Sequence, residues 1–104
     1  MLGVTDVLGL DGDWVVPGNL QFPADRFRPA DLKQPVRLDA RAELAMSLEV
    51  AEHLPEASAD DFVGSLTRLS RVVLFSAAVP RQGGNFHVNE QCPSYWAAKF
   101  AAHG

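Results

Sequence analysis

The chain has 104 residues, is 47% hydrophobic, and carries 9 basic against 13 acidic residues for a formal net charge of −4. That length allows one domain at most, and the apolar content suits a buried core rather than disorder; the basic residues are scattered, which argues against a nucleic-acid or anionic-membrane partner. A single cysteine, Cys92, excludes an internal disulfide and a multi-cysteine zinc site and fits a reducing compartment.

No positive charge precedes the apolar residues of MLGVTDVLG, and no apolar run approaches the roughly 20 residues of a membrane helix, so a cytoplasmic, unprocessed protein is expected. Residues 6–11 (DVLGLD) read as a compact strand, stopped by Asp11-Gly12-Asp13 and by the turn at Pro17-Gly18. Prolines 23, 29 and 35 leave room only for a short strand near a sheet edge, around Phe27 to Asp31. Residues 42–48 (AELAMSL) are apolar on both sides of the pleat, the pattern of a strand covered by helices on two faces, and Glu49 marks its end.

After Pro55, Ser58 with Asp61 three residues on resembles a capping box, and Phe62, Val63, Leu66 and Leu69 then recur at helical spacing. Residues 72–77 (VVLFSA) read as a buried strand ended by Pro80. The loop over 78–91 is long and carries Gly83-Gly84, His87, Asn89 and Glu90; ordered loops of this length tend to be functional. Pro93 suits the first turn of a last helix that places Tyr95, Trp96 and Phe100 in the core and ends on Gly104. Alternating strands and helices predict an α/β fold with a mostly parallel, doubly wound sheet of about four strands.

In such a sheet ligands lie outside the carboxyl ends of the strands, and Asp11, Asp31 and Glu49 each close an apolar run. Carboxylates placed there can accept hydrogen bonds from ribose hydroxyls or an adenine amino group. Asp11 before Gly12 could serve only the turn, but its strand-end position favours the ribose role; Asp31 fits either reading. Glu49 and Glu52 could each be only a first-turn acid complementing a helix dipole, the reading favoured for Glu52, and His53 reads as a packed turn histidine. His87 and Glu90 lie in a loop with no apolar periodicity to explain them, which favours function. His53, His87 and Glu90 could supply two imidazoles and a carboxylate, yet no two sit at a recognised ligand spacing, so no metal is expected.

Taken in order, LGLDGD (8–13), PADL (29–32), ELAMSLEVAEHLP (43–55), VVLFSAAVP (72–80) and QGGNFHVNEQ (82–91) resemble successive motifs of class I S-adenosylmethionine-dependent methyltransferases. The resemblance spans nearly the whole chain, and EVAEHLP and HVNEQ are its specific runs. It implies a Rossmann-like three-layer α/β/α partial domain over 1–104, S-adenosyl-L-methionine as methyl donor, and a small-molecule methyl acceptor. It further implies Asp11, with Gly12 beside it, at the ribose hydroxyls, and Asp31 near the adenine amino group with Leu32 against the ring. Glu49 falls where the fourth strand of the family opens toward the methionine moiety and the acceptor. For an acceptor that must lose a proton, His87 is the candidate base and Glu90 its orienter or alternative.

The family's G-x-G-x-G turn after its first, central strand is absent from this sequence, and its closing hairpin has no counterpart after Gly104. The entry to the third run reads A-E-L where R-F-D-L is typical, and Cys92 stands where tryptophan is common. A domain truncated at both ends is therefore expected, with a non-catalytic Rossmann-like remnant or binding module as the alternative to an active enzyme. An NAD-type nucleotide-binding domain is a third reading, against which the EVAEHL and HVNEQ runs argue.

Overall fold

The computed structural model describes residues 6–11, 26–38, 41–84 and 87–104, in two units, Met1–Leu32 and Lys33–Gly104. The described residues form an α/β structure with two parallel strand pairs and two helices. Gly12, the Pro17-Gly18 turn and Pro23 lie outside them.

In the first unit β1 (Gly9–Asp11) runs parallel to β2 (Phe27–Pro29), with Gly9 opposite Phe27 and Asp11 opposite Pro29. Pro29 has no N–H to give, and the ladder continues through the Ala30 N–H to the Asp11 carbonyl at 2.7 Å. The first strand is shorter than the run 6–11. Asp6 and the Val7 carbonyl are taken instead by Arg26, which pairs with the Asp6 carboxylate and donates from Nε to the Val7 oxygen at 2.7 Å.

The second unit holds β3 (Ala45–Leu48), α1 (Ala59–Leu69), β4 (Val73–Ser76) and α2 (Pro93–Ala102). β3 and β4 pair in parallel, Ala45 opposite Val73 and Ser47 opposite Phe75, with α1 as the crossover between them. Partners in a parallel register share a face, so Ala45, Ser47, Val73 and Phe75 lie on one side and Met46, Leu48 and Leu74 on the other. Ala45 and Ser47 are buried, whereas Met46 is 58% and Leu74 49% exposed. The expectations of a β3 covered by helices on two faces and of a buried β4 are thus corrected. Both helices pack on one side, and the apolar residues of the other are open among the described residues.

The capping box expected at Ser58 does not form. Ser58 has helical backbone angles and no side-chain cap bond, because a 3-10 turn, Glu56–Ser58, leads directly into α1, whereas a capping residue needs extended backbone. The helical spacing itself is seen: Phe62, Val63 and Leu66 are buried and Leu69 half-buried. Ser65, also buried, accepts the Val36 N–H on its Oγ at 2.8 Å and so ties the segment before β3 to α1.

Pro93 opens α2 after the extended Cys92, as expected, since its missing N–H is one the first turn would leave unused. At the other end Gly104, with φ of 86°, donates its N–H to the Ala101 carbonyl at 3.2 Å. Trp96 is buried, and the Phe75 ring lies 5.2 Å from it and 5.1 Å from Phe100, so β4 and α2 share an aromatic cluster. Where α2 meets α1, a Cβ on Gly64 would stand 3.0 Å from the His103 ring, and His103 Nε2 lies 3.2 Å from Asp60 Oδ1. No helix among the described residues is long and apolar enough to cross a membrane.

Candidate functional site

The chemistry-bearing residues of the second unit collect where the chain leaves β3 and β4. Glu49, the first residue after β3, has a φ of 55°, a left-handed conformation that costs a non-glycine residue about 1–2 kcal/mol. Hydrogen bonds hold it there. Its N–H donates to the Ser76 carbonyl at 2.9 Å, and its carboxylate accepts from Ser76 Oγ at 3.0 Å and from Gln82 Nε2 at 3.2 Å.

The chain then makes a single 3-10 turn, Ala51–His53. Glu52 does lie in the first turn of this helix, as expected, but it is fully buried, so the dipole-complementing role expected of it gives way to a packed one. A one-turn helix offers little dipole, and the side chain points inward instead: Oε1 accepts the Ala78 N–H at 3.2 Å, while Oε2 has no hydrogen-bond partner. The main-chain carbonyl of Glu52 accepts the N–H groups of Val88 at 2.8 Å and Asn89 at 3.0 Å. These two bonds strap the loop after β4 onto the turn after β3.

The strap places His87 against His53, ring centroids 4.7 Å apart and nearly perpendicular. His87 Nδ1 lies 2.8 Å from Glu90 Oε2, and Glu90 also accepts the N–H groups of Arg81 and Gly83 at 3.2 and 3.1 Å. The His87 hydrogen bond is the main influence holding the Glu90 pKa below its ordinary value; burial opposes it, and the Gly83 and Arg81 amides add to it. Gly83 and Gly84 have φ of 77° and 144°, and a Cβ on Gly84 would stand 2.6 Å from Cε1 and 2.7 Å from Nε2 of His87. Glycine at 84 is what lets the backbone pass so close to the imidazole.

The structure therefore brings His87 to Glu90, as an acid–base pair requires, and sets Glu49 between Ser76 and Gln82. In the first unit Asp11 is the last residue of β1 and half-buried, Asp31 is exposed two residues beyond β2, and Leu32 is half-buried. Gly12 is outside the described residues. The metal-ligating trio weighed from sequence is rearranged: Glu52, His53 and His87 each offer a ligand atom, all within 4.8 Å of one another, and Glu90 stands behind His87. Sequence reading missed Glu52, although its apolar neighbours Val50, Ala51 and Leu54 were a signal of burial. A hollow of about 350 Å³ lined by Phe75, Pro93, Trp96 and Phe100 is apolar and holds no titratable group. Compared with known proteins, the chain matches no family model, no curated protein and no solved structure.

Proposed function

We propose that this chain is a Rossmann-like partial domain of the class I methyltransferase type, cytoplasmic, that binds S-adenosyl-L-methionine and serves methyl transfer to a small-molecule acceptor. The observation that carries this reading is the placement of acids at the carboxyl ends of two parallel strand pairs: Asp11 closes β1, and Glu49 follows β3 in a strained, hydrogen-bonded conformation. Strand-end carboxylates are where open α/β sheets recognise nucleosides. The apolar second face of the β3–β4 pair also fits a sheet layered on both sides.

A half-buried strand-end carboxylate such as Asp11 fits a ribose diol chemically, and Asp31 with Leu32 would serve the adenine. The donor supplies an electrophilic methyl on a sulfonium. This chain's residues align the reactants and, for a protonated acceptor, His87 Nε2 takes the proton while Glu90 orients the ring through Nδ1.

The alternative, a Rossmann-like remnant or binding module that does not bind the donor, rests on one observation: among the described residues the strands pair two by two, β1 with β2 and β3 with β4. Calorimetric titration with S-adenosylhomocysteine decides between them. Saturable binding weakened at least about tenfold by Asp11→Ala, the loss expected when a charge-assisted hydrogen bond is removed, supports donor recognition. No heat and no thermal stabilisation at millimolar ligand leaves the remnant.

A further inference from the structure

We propose that Glu52, His53 and His87 bind a divalent transition-metal ion of the Zn²⁺ class, with Glu90 as the positioning residue behind His87. Two imidazoles and one carboxylate are a donor set for such ions, and three protein ligands leave a further coordination position open. The three ligand atoms lie within 4.8 Å of one another. Tetrahedral bonds of about 2.0–2.2 Å place ligands about 3.4 Å apart, so small side-chain rotations close the set.

A second, independent observation points to a cation. Glu52 is fully buried, yet Oε2 has no hydrogen-bond partner. A buried polar oxygen left without a partner pays its desolvation cost uncompensated, and such groups are normally satisfied by a hydrogen bond or by a metal ion. The outer shell is also present: with Nδ1 engaged by Glu90, His87 offers Nε2, the arrangement in which a carboxylate fixes the orientation of a metal-bound imidazole. The main chain pre-sets the geometry, since the Glu52 carbonyl holds Val88 and Asn89 and thereby His87. His53 is exposed, which gives the ion a path in from solvent.

The proposal does not rest on donor binding. It competes with one part of the reading above, because a metal on Nε2 removes that nitrogen from proton transfer.

The test is titration of the intact chain with Zn²⁺, and with Co²⁺ as a visible-absorbing substitute, without any methyl donor. One equivalent should bind at micromolar concentration, raise the melting temperature, and give Co²⁺ the intense bands of four-coordination. His53→Ala and His87→Ala should each abolish those bands, and Glu90→Gln should weaken binding about 10–100-fold. Glu52→Gln keeps an acceptor for Ala78 while losing the ligand oxygen, and should also abolish them. Cys92→Ser and His103→Ala, donors elsewhere on the chain, should change nothing. Absence of stoichiometric binding, binding unchanged in His53→Ala or Glu52→Gln, or binding lost in His103→Ala overturns the proposal.

Discussion

Glu52 and Asn89 are joined through their main chains, the Asn89 N–H donating to the Glu52 carbonyl at 3.0 Å beside the Val88 N–H at 2.8 Å. The same residue takes the Ala78 N–H on its side chain. One buried residue thus gathers three backbone donors from the segment that follows β4. The contact of His87 with His53, and the position of the His87–Glu90 pair, follow from it.

Glu52→Ala removes the acceptor of a fully buried Ala78 N–H and leaves a void, and should lower stability by about 2–4 kcal/mol in urea denaturation. Glu52→Gln keeps an acceptor for the Ala78 N–H at nearly the same volume, and in metal-free buffer should stay within about 1 kcal/mol of the parent. Equal losses in the two variants would show that the second carboxyl oxygen, not the Ala78 hydrogen bond, is what the fold requires.

Ser65→Ala strips the Val36 N–H of its partner inside α1's packing face and should cost about 1 kcal/mol. Amide exchange gives the sharper measurement. Exchange at Val36 should accelerate well beyond what the global loss explains, while the amides of α1 follow the global change.

Phe75, half-buried, touches both Trp96 and Phe100, so Phe75→Ala should cost about 1.5–3 kcal/mol and flatten the near-ultraviolet circular dichroism that the aromatic cluster produces. Phe75→Leu, which keeps most of the volume, should retain the majority of the stability with a reduced aromatic signal. If Phe75→Ala unfolds no more easily than the parent, α2 does not pack on β4 through this ring.

Glu90 has a folded-state pKa lowered from 4.5, because the folded loop prefers its carboxylate. The sign follows: its contribution is fully present above about pH 4.5 and is lost as pH falls through the lowered folded value. In zinc-free buffer, amide protection at residues 81–84 and 87–90, taken relative to the intrinsic exchange rate at each pH, should fall in that acidic window, and Glu90→Gln should remove that loss. A parent whose loop amides are equally protected at neutral and acid pH would contradict the hydrogen bonds from His87, Gly83 and Arg81.

Much of the fold was legible because it depends on periodicity and on punctuation by proline and glycine. Phe62, Val63 and Leu66 mark the inner face of α1 by their spacing alone, Pro93 and Gly104 bracket α2, and the runs 42–48 and 72–77 each contain the strand expected of them. The apolar pattern of 42–48 points to helices on both faces of β3, and the structure covers one. Apolar residues on both faces state what a strand tolerates, whereas exposure of Met46 and Leu74 depends on where the helices dock. The capping box failed for a similar reason: Ser58 and Asp61 have the right spacing, but the backbone entering α1 is already helical.

By itself, then, the sequence determined the order and type of the elements, the acids at the strand ends and the glycines of the loop over 78–91, all consequences of local sterics and spacing. Only the tertiary structure decided that Glu52 lies inside, that His87 leans on both His53 and Glu90, and that Gly84 makes room for that imidazole. Those relationships are set by hydrogen bonds between residues far apart in the chain, above all from Val88 and Asn89 to the Glu52 carbonyl, and no local pattern of residues encodes them.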